Sequence, residues 1–186
     1  MVFLPGMILA MPDGWLLGED SSGELKLNPA DDLDLKLSFF TDPIATTNDG
    51  RIEAGVAGTP IALIEWLRSN PNLSVSEPTT TTIGQDVPAT SVDLTVASDA
   101  ENGDPRCPPG LACVNLFLFR GPTYNFGYGI SSDQRLRFTF AEIGSGDATR
   151  TLFVLHEVVP ADRLTDFATR AGPMIASLRL PSPLPD

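Results

Sequence analysis

Short segments in which apolar and polar residues alternate recur along this chain, and each is bounded by residues that favour turns. In residues 89–97, Val92, Leu94 and Val96 occupy every second position, and the positions between them are polar. A period of two is typical of a strand with one buried face. Glycine and proline account for 16 and 17 of the 186 residues, which favours many turns over a helix bundle. We therefore expect a mainly antiparallel sheet.

The same pattern assigns most of the other elements. Strands are predicted at residues 1–12, 15–19, 24–27, 33–40, 73–82, 89–97, 114–119, 124–130, 136–143 and 149–159. The run 114–119 is apolar on both faces, which places it at the centre of a sheet. Pro78 interrupts the segment 73–82 and indicates an edge strand. Residues 42–58 have no sustained period and predict a loop or a short irregular hairpin.

Two segments have helical signals. Thr59 is a candidate N-cap, Pro60 would occupy the first helical position, and Pro71 would end this helix. From Asp162 to Leu178, apolar residues recur at spacings of three and four, which predicts a second helix with one apolar stripe.

This order of elements is typical of the α+β class, because consecutive strands are followed by few helices. We expect a single domain over residues 1–180, with helices packed on a central sheet of about six to eight strands. The proline-rich residues 181–186 have no core content and predict a tail.

The charge of the chain excludes one class of partner. Twenty-four acidic residues against 12 basic residues give a formal charge of −12, and such a surface repels phosphate backbones. We therefore expect no nucleic-acid partner. The densest basic pair, Arg135 and Arg137, stands at alternate positions, as solvated strand residues would. No segment reaches the roughly 18 apolar residues that a membrane-spanning helix needs, so we expect no membrane span in this chain.

Cys107 and Cys113 flank the bend Pro-Pro-Gly at residues 108–110. The spacing favours a structural disulfide, and free thiols, a redox pair or half of a zinc site are the alternatives. A disulfide implies an oxidising compartment. We therefore expect an extracytoplasmic protein, secreted or anchored to the cell envelope, whose signal or anchor lies outside these 186 residues.

The sequence contains no recognisable catalytic constellation, so we expect no catalytic residues. His156 is the only histidine, and neighbouring strand residues such as Glu157 point to the opposite face. No serine stands in a nucleophile-elbow pattern. A structural or surface histidine is therefore favoured over a catalytic one. Acidic groups occur in three predicted turns, where solvated caps are the default: Asp31, Asp32 and Asp34; Asp99, Glu101 and Asp104; Glu19 and Asp20.

Cofactor and metal motifs are also missing. Residues 99–104 place oxygen ligands beside a glycine, but they depart from the calcium loop of EF-hands at its fifth and twelfth positions, Gly103 and Gly110. There is no phosphate loop, dinucleotide fingerprint or zinc spacing, so we expect no cofactor and no metal. Three aromatic residues alternate along one predicted strand and favour core or edge packing over a binding stripe: Tyr124, Phe126 and Tyr128.

Several short motifs resemble those of one family. They are PDGW at 12–15, IEWLRSNPNL at 64–73, TIGQ at 82–85, ATSVDLTV at 89–96 and SLRL at 177–180. Together they resemble PsbP-like extracytoplasmic domains, including LpqN-type lipoproteins. The resemblance implies an antiparallel sheet sandwiched by helices, in an exported or membrane-anchored ectodomain without established catalysis. It transfers no functional residue to this chain.

These observations predict a non-enzymatic extracytoplasmic binding or interaction module. A groove between sheet and helix would take a protein, a lipid or a small molecule. The alternative is a hydrolase that acts through carboxylates, which the abundance of acidic residues suggests. Two acids that converge in a pocket would favour this alternative.

Overall fold

The computed structural model describes residues 3–4, 6–20, 23–84, 86–120, 125–146 and 149–180. Within these residues, no helix is both long enough and apolar enough to cross a membrane. The predicted tail at 181–186 lies outside the described residues.

Eleven strands and two α-helices make up the described fold. The strands are β1 (Trp15–Asp20), β2 (Leu25–Pro29), β3 (Lys36–Thr41), β4 (Ile44–Ala45), β5 (Leu73–Val75), β6 (Thr79–Ile83), β7 (Val87–Val96), β8 (Cys113–Arg120), β9 (Asn125–Ser131), β10 (Arg135–Ile143) and β11 (Arg150–Val158). The helices are α1 (Pro60–Ser69) and α2 (Leu164–Ala176), and a short 3-10 helix (Ala161–Arg163) precedes α2.

Eight of these strands form one large sheet in the order β1-β2-β3-β11-β10-β7-β5, with β6 also paired to β7. All of the pairings are antiparallel. Pro78 separates β5 from β6, and the two short strands pair in turn with opposite ends of β7. The predicted edge position of this segment is therefore confirmed.

The central strands of the large sheet are buried on both faces. On one face the sheet carries α2, and the helix contributes Leu164, Phe167, Ala171 and Met174 to this core. On the other face it carries α1 and a second sheet of three strands in the order β4-β8-β9. The predicted α+β class, with helices on an antiparallel sheet, is confirmed.

The core on the α1 face is mainly aromatic. Phe153 of β11 lies at its centre, with ring centroids 4.7 Å from Phe138 and 5.4 Å from Phe117. Phe40 stacks on Phe119 at 4.2 Å. Offset and edge-to-face ring pairs at these distances each add about 1 kcal/mol beyond the area they bury. The rings therefore hold the small sheet against the large one.

Helix α1 begins and ends where the local signals place it. The Thr59 side chain accepts a hydrogen bond from the Ala62 amide at 3.4 Å, and Pro60 is the first helical residue. Leu63, Ile64 and Leu67 form its buried stripe. The predicted helix is confirmed.

Two expectations about strands need correction. Residues 1–12 do not form the first strand: in the described part, Ile8 makes only an isolated bridge with Arg179. Pro12 has no amide hydrogen to donate, and Gly6 has a φ of 85°, so this segment cannot continue a ladder. The apolar run at 114–119 lies in β8, at the centre of the small sheet rather than of the large one.

Candidate functional site

A cavity of about 230 Å³ lies between α2 and the large sheet, and we call it the α2 cavity. Its lining combines polar residues of the sheet with small residues of the helix: Thr81, Thr82, Gly84, Ser91, Arg137, Thr139, His156, Ala168, Gly172, Ile175 and Ala176. A Cβ atom built on Gly172 would meet no atom of a residue beyond its chain neighbours within 4 Å. The small side chains of α2 therefore leave open space above the sheet.

Strand register brings the polar residues of the cavity together. Arg137 of β10 pairs with Asp93 of β7 on one side and with His156 of β11 on the other. Two residues along, Thr139 pairs with Ser91. Because side chains directly opposite in neighbouring strands point to the same face, these polar groups form a patch on the α2 face of the sheet.

Asp93 holds the guanidinium of Arg137 in a two-pronged ion pair. Arg137 Nε donates to Asp93 Oδ1 at 2.7 Å, and Nη2 donates to Oδ2 at 3.0 Å. Arg135 Nη2 reaches the same carboxylate at 3.3 Å. Ser91 and Thr139 share a hydrogen bond between their hydroxyls at 2.7 Å. The one carboxylate therefore serves two guanidinium groups, which leaves an excess positive charge beside the cavity.

His156 is buried in this patch, with 3% of its surface exposed. The imidazole ring and the ring of Phe167 are nearly perpendicular, and their centroids are 5.7 Å apart. Nδ1 is buried and has no hydrogen-bond partner in the described structure. Burial, with the nearby positive charge of Arg137, lowers the pKa of His156 from 6.5 to about 4. The imidazole is therefore neutral at pH 7.

His156 and Glu157 point to opposite faces, as expected. Glu157 is buried on the α1 side, where its Oε1 accepts from Lys36 at 2.6 Å and from Gln134 at 3.1 Å. Its Oε2 accepts from the Tyr128 hydroxyl at 2.9 Å. Burial and then the charge of Glu157 raise the pKa of Tyr128 well above its usual value. This network joins β9 of the small sheet to β11 of the large one.

Glu24 lies near this network. Its Oε1 accepts from the Ser38 hydroxyl at 3.0 Å, and Lys26 Nζ is 3.9 Å away. Burial raises the pKa of Glu24, and Glu157 adds to the rise. Two carboxylates therefore converge on the large sheet, although Glu157 is already bound by three donors.

Cys107 and Cys113 form a disulfide with a Cα–Cα distance of 5.7 Å. Their loop joins β7 to β8, and the Gly103 amide donates to the Cys113 carbonyl at 2.9 Å. Asn48 ties this loop to the irregular segment 42–58, because its Nδ2 donates to the Glu101 carbonyl at 2.9 Å. The loop 97–112 between β7 and β8 and the irregular segment 42–58 therefore pack on each other.

None of the three acidic groups lines the α2 cavity, and Glu19 and Asp20 lie in strand β1 and not in the predicted turn. Asp31 pairs with Arg170 at 2.7 Å and Asp32 with Arg163, so this turn is held to the α2 region. Asp104 pairs with Arg106 at 2.8 Å. Within the described residues, no group of three or more acidic, histidine or cysteine side chains is placed to hold a metal ion.

The aromatic stripe packs in the core where the structure describes it. Phe126 lies 5.2 Å from Phe119, and Tyr128 lies 6.4 Å from Phe40, both between ring centroids. Tyr124 lies outside the described residues.

Sequence reasoning missed Arg137, Ser91 and Thr139 as members of one site. The two arginines were expected to be solvated, whereas both bind Asp93 and the side chain of Arg137 is 32% exposed. The alternation of residues in β10 already indicated a polar face, since Arg135, Arg137 and Thr139 occupy every second position of the strand. Only the register of three strands, however, places that face beside His156.

No family model matches the chain, and no curated protein matches it. Solved structures that are similar to this chain include an LpqN and a PsbP protein. LpqN of Mycobacterium tuberculosis, involved in cell envelope biogenesis, has 18% sequence identity and a TM-score of 0.43, covering 91% of this chain and 79% of that one. Cyanobacterial PsbP (CyanoP) from Synechocystis has 11% identity and a TM-score of 0.43, covering 95% and 87%. The two kinds of protein that the sequence motifs resemble are thus also found by comparison of structures.

Titration of His156 tests the description of the cavity. Since the chain has one histidine, its imidazole NMR signals report a single group, and we expect a midpoint near pH 4 instead of 6.5. The unfolded chain then binds more protons than the folded chain between these pH values, so stability falls as the pH drops through this window. The loss reaches about 3 kcal/mol at pH 4.

The variant His156→Gln is the control, because it should lack this part of the pH dependence in urea unfolding measured from pH 7 to 4. A histidine midpoint near 6.5 in the folded protein would contradict the buried position of the ring.

Proposed function

We propose that the chain is an extracytoplasmic binding module without catalytic activity, and that it holds a small polar ligand in the α2 cavity. The ligand would be a small carboxylate or polyol. It would contact the imidazole of His156, the hydroxyls of Ser91 and Thr139 and the guanidinium of Arg137.

The unpartnered Nδ1 of His156 is the observation that carries this proposal. A buried polar atom without a hydrogen bond costs about 1–3 kcal/mol, so proteins rarely retain one without a use. His156 also lines a cavity. A ligand hydroxyl that donates a hydrogen bond to Nδ1, or a ligand carboxylate that accepts one from the tautomer with the proton on Nδ1, would supply the missing bond.

The lining of the cavity favours a polar ligand over a lipid. Hydroxyls, an imidazole and a guanidinium stand on the sheet side, and Ile175 is the one large apolar residue among the described lining residues. An acyl chain would leave the polar groups without partners, which is unfavourable. The guanidinium of Arg137 and the shared carboxylate of Asp93 favour a ligand with an acidic group.

The disulfide supports the proposed extracytoplasmic location, because such bonds persist in oxidising compartments. Closing so short a loop stabilises the folded chain by about 2 kcal/mol in the chain-entropy view. We expect reduction to lower the free energy of unfolding by this amount in urea titrations. The double variant Cys107→Ala/Cys113→Ala should have the lower value with or without reductant. Equal stability of the oxidised and reduced protein would remove this support for export.

A hydrolase that acts through carboxylates is the second candidate, and the convergence of Glu24 and Glu157 favours it. The raised pKa of Glu24 is the property that a general acid needs. The three donors on Glu157, however, suit a structural role better than a reactive one. Hydrolysis of an aryl glycoside that Glu24→Gln abolishes, while the variant stays folded, would favour this candidate over the binding module.

Ligand binding can be tested with succinate, glycerol and palmitate as probes, one for each chemical class. We expect succinate or glycerol to shift the His156 imidazole signals and to raise the melting temperature, and palmitate to do neither. Ala168→Leu should abolish these shifts, because it extends a larger side chain from α2 into the cavity.

Thr165→Leu is the matched control, since it places a leucine on the exposed side of the same helix one turn earlier. It should bind as the natural sequence does. If neither succinate nor glycerol perturbs His156, or if Ala168→Leu binds unchanged, the α2 cavity is not a ligand site of this chemistry.

A further inference from the structure

A second and larger concavity, of about 430 Å³, lies beside the C-terminal half of α1, and we call it the α1 groove. The irregular segment 46–56 forms its other wall. The described lining residues are Thr46, Thr47, Asn48, Glu53, Ala54, Gly55, Val56, Trp66, Ser69, Asn70, Pro71 and Asn72. This groove is separate from the α2 cavity, because the two lie on opposite faces of the large sheet.

The described lining of the α1 groove contains hydrogen-bond acceptors and no basic side chain. Glu53 contributes a carboxylate, and no ion pair with it is present among the described residues. The carbonyl oxygens of Asn70 and Asn72 already accept backbone hydrogen bonds, at 3.0 Å each, whereas Oδ1 of Asn48 has no partner in the described structure. An anion would find no opposite charge here.

Thr46 is an independent indication that the groove has an occupant. The residue is 3% exposed, its backbone is fixed by a bond from its amide to the Leu116 carbonyl at 3.0 Å, and its Oγ1 has no partner. A buried hydroxyl that lines a groove and has no hydrogen bond is unfavourable unless something else supplies one.

The end of α1 adds negative potential. The helix ends at Ser69, where the last backbone carbonyls carry the partial negative charge of the helix dipole. Arg68, the basic residue of the last turn, is bound to Glu77 at 2.7 Å. No basic side chain in the described lining of the α1 groove therefore offsets the partial negative charge at this end of the helix.

Trp66 completes the groove with an aromatic ring, which is held by Phe117 at a centroid distance of 5.5 Å. A cation placed over an indole ring gains about 0.5–2 kcal/mol, and tryptophan is the most favourable of the aromatic residues for this contact. The net charge of −12 also draws cations toward the protein.

We propose that the α1 groove binds a primary organic ammonium ion with a short alkyl portion. The ammonium group would donate hydrogen bonds to Glu53 and to the hydroxyl of Thr46. The ammonium group would lie over the ring of Trp66, and the alkyl portion would pack against Val56. This proposal does not depend on the function proposed for the α2 cavity.

The test uses n-butylammonium and its neutral isostere 1-butanol with the full chain, by calorimetry and by the NMR signal of the Trp66 indole. We expect n-butylammonium to bind saturably and 1-butanol to bind at least tenfold more weakly, since only the first carries a charge. Binding of n-butylammonium should weaken as salt is added.

Glu53→Gln should weaken n-butylammonium binding about tenfold. The matched control is Glu65→Gln, which removes the same charge from the exposed side of α1 and should leave binding unchanged. Thr46→Val should also weaken binding, and it should raise the melting temperature of the free protein because it removes an unpartnered buried hydroxyl.

Each alternative outcome would overturn the proposal. These outcomes are no saturable binding of n-butylammonium, binding of 1-butanol as tight as that of the cation, or equal weakening by Glu53→Gln and Glu65→Gln. Circular dichroism of each variant at the assay temperature separates a loss of binding from a loss of fold.

Discussion

Burial of the two central strands on both faces is the constraint on which the rest of this fold depends. Eight of the nine residues of β11 are buried, and its neighbour β10 is continuously buried from Phe138 to Ala141. Such strands need a cover on each side, because one layer would leave half of their apolar surface in water. Helix α2 covers one face, and α1 with the small sheet covers the other. Phe153 therefore contacts rings from both sheets.

The α2 face of this sheet contains polar side chains and a cavity, and stability alone would favour neither. Asp93, Arg137 and His156 stand side by side on three neighbouring strands, and helix residues as small as Ala168 and Gly172 lie above them. Apolar side chains at these positions would fill the space and bury no unpartnered polar atom. Proteins depart from well-packed cores mainly at functional sites. The α2 cavity is therefore the principal candidate site.

Local patterns in the sequence were sufficient to predict most elements. The alternation in β7 and the Thr59 cap of α1 are signals of adjacent residues, and both elements form as predicted. The sheet to which the apolar run in β8 belongs could not be predicted from such patterns. The apolar residues of this run require a buried position, but nothing in them distinguishes the centre of a second sheet from the centre of the first.

The candidate site was less predictable for the same reason. His156 and Arg137 are 19 positions apart in the sequence, and only the pairing of β10 with β11 makes them neighbours. The pairing of two irregular loops through Asn48 is equally non-local. Sequence patterns identify which face of a strand is polar, whereas register decides which polar faces meet.

We infer that His156 serves a ligand and not the fold. The unfolding free energy of His156→Leu at pH 7 distinguishes these two roles. Replacing a buried imidazole whose Nδ1 has no partner with an apolar side chain of similar size should leave stability unchanged or raise it by about 1 kcal/mol. A loss of more than about 2 kcal/mol would show that the imidazole holds the sheet together and that His156 serves the fold.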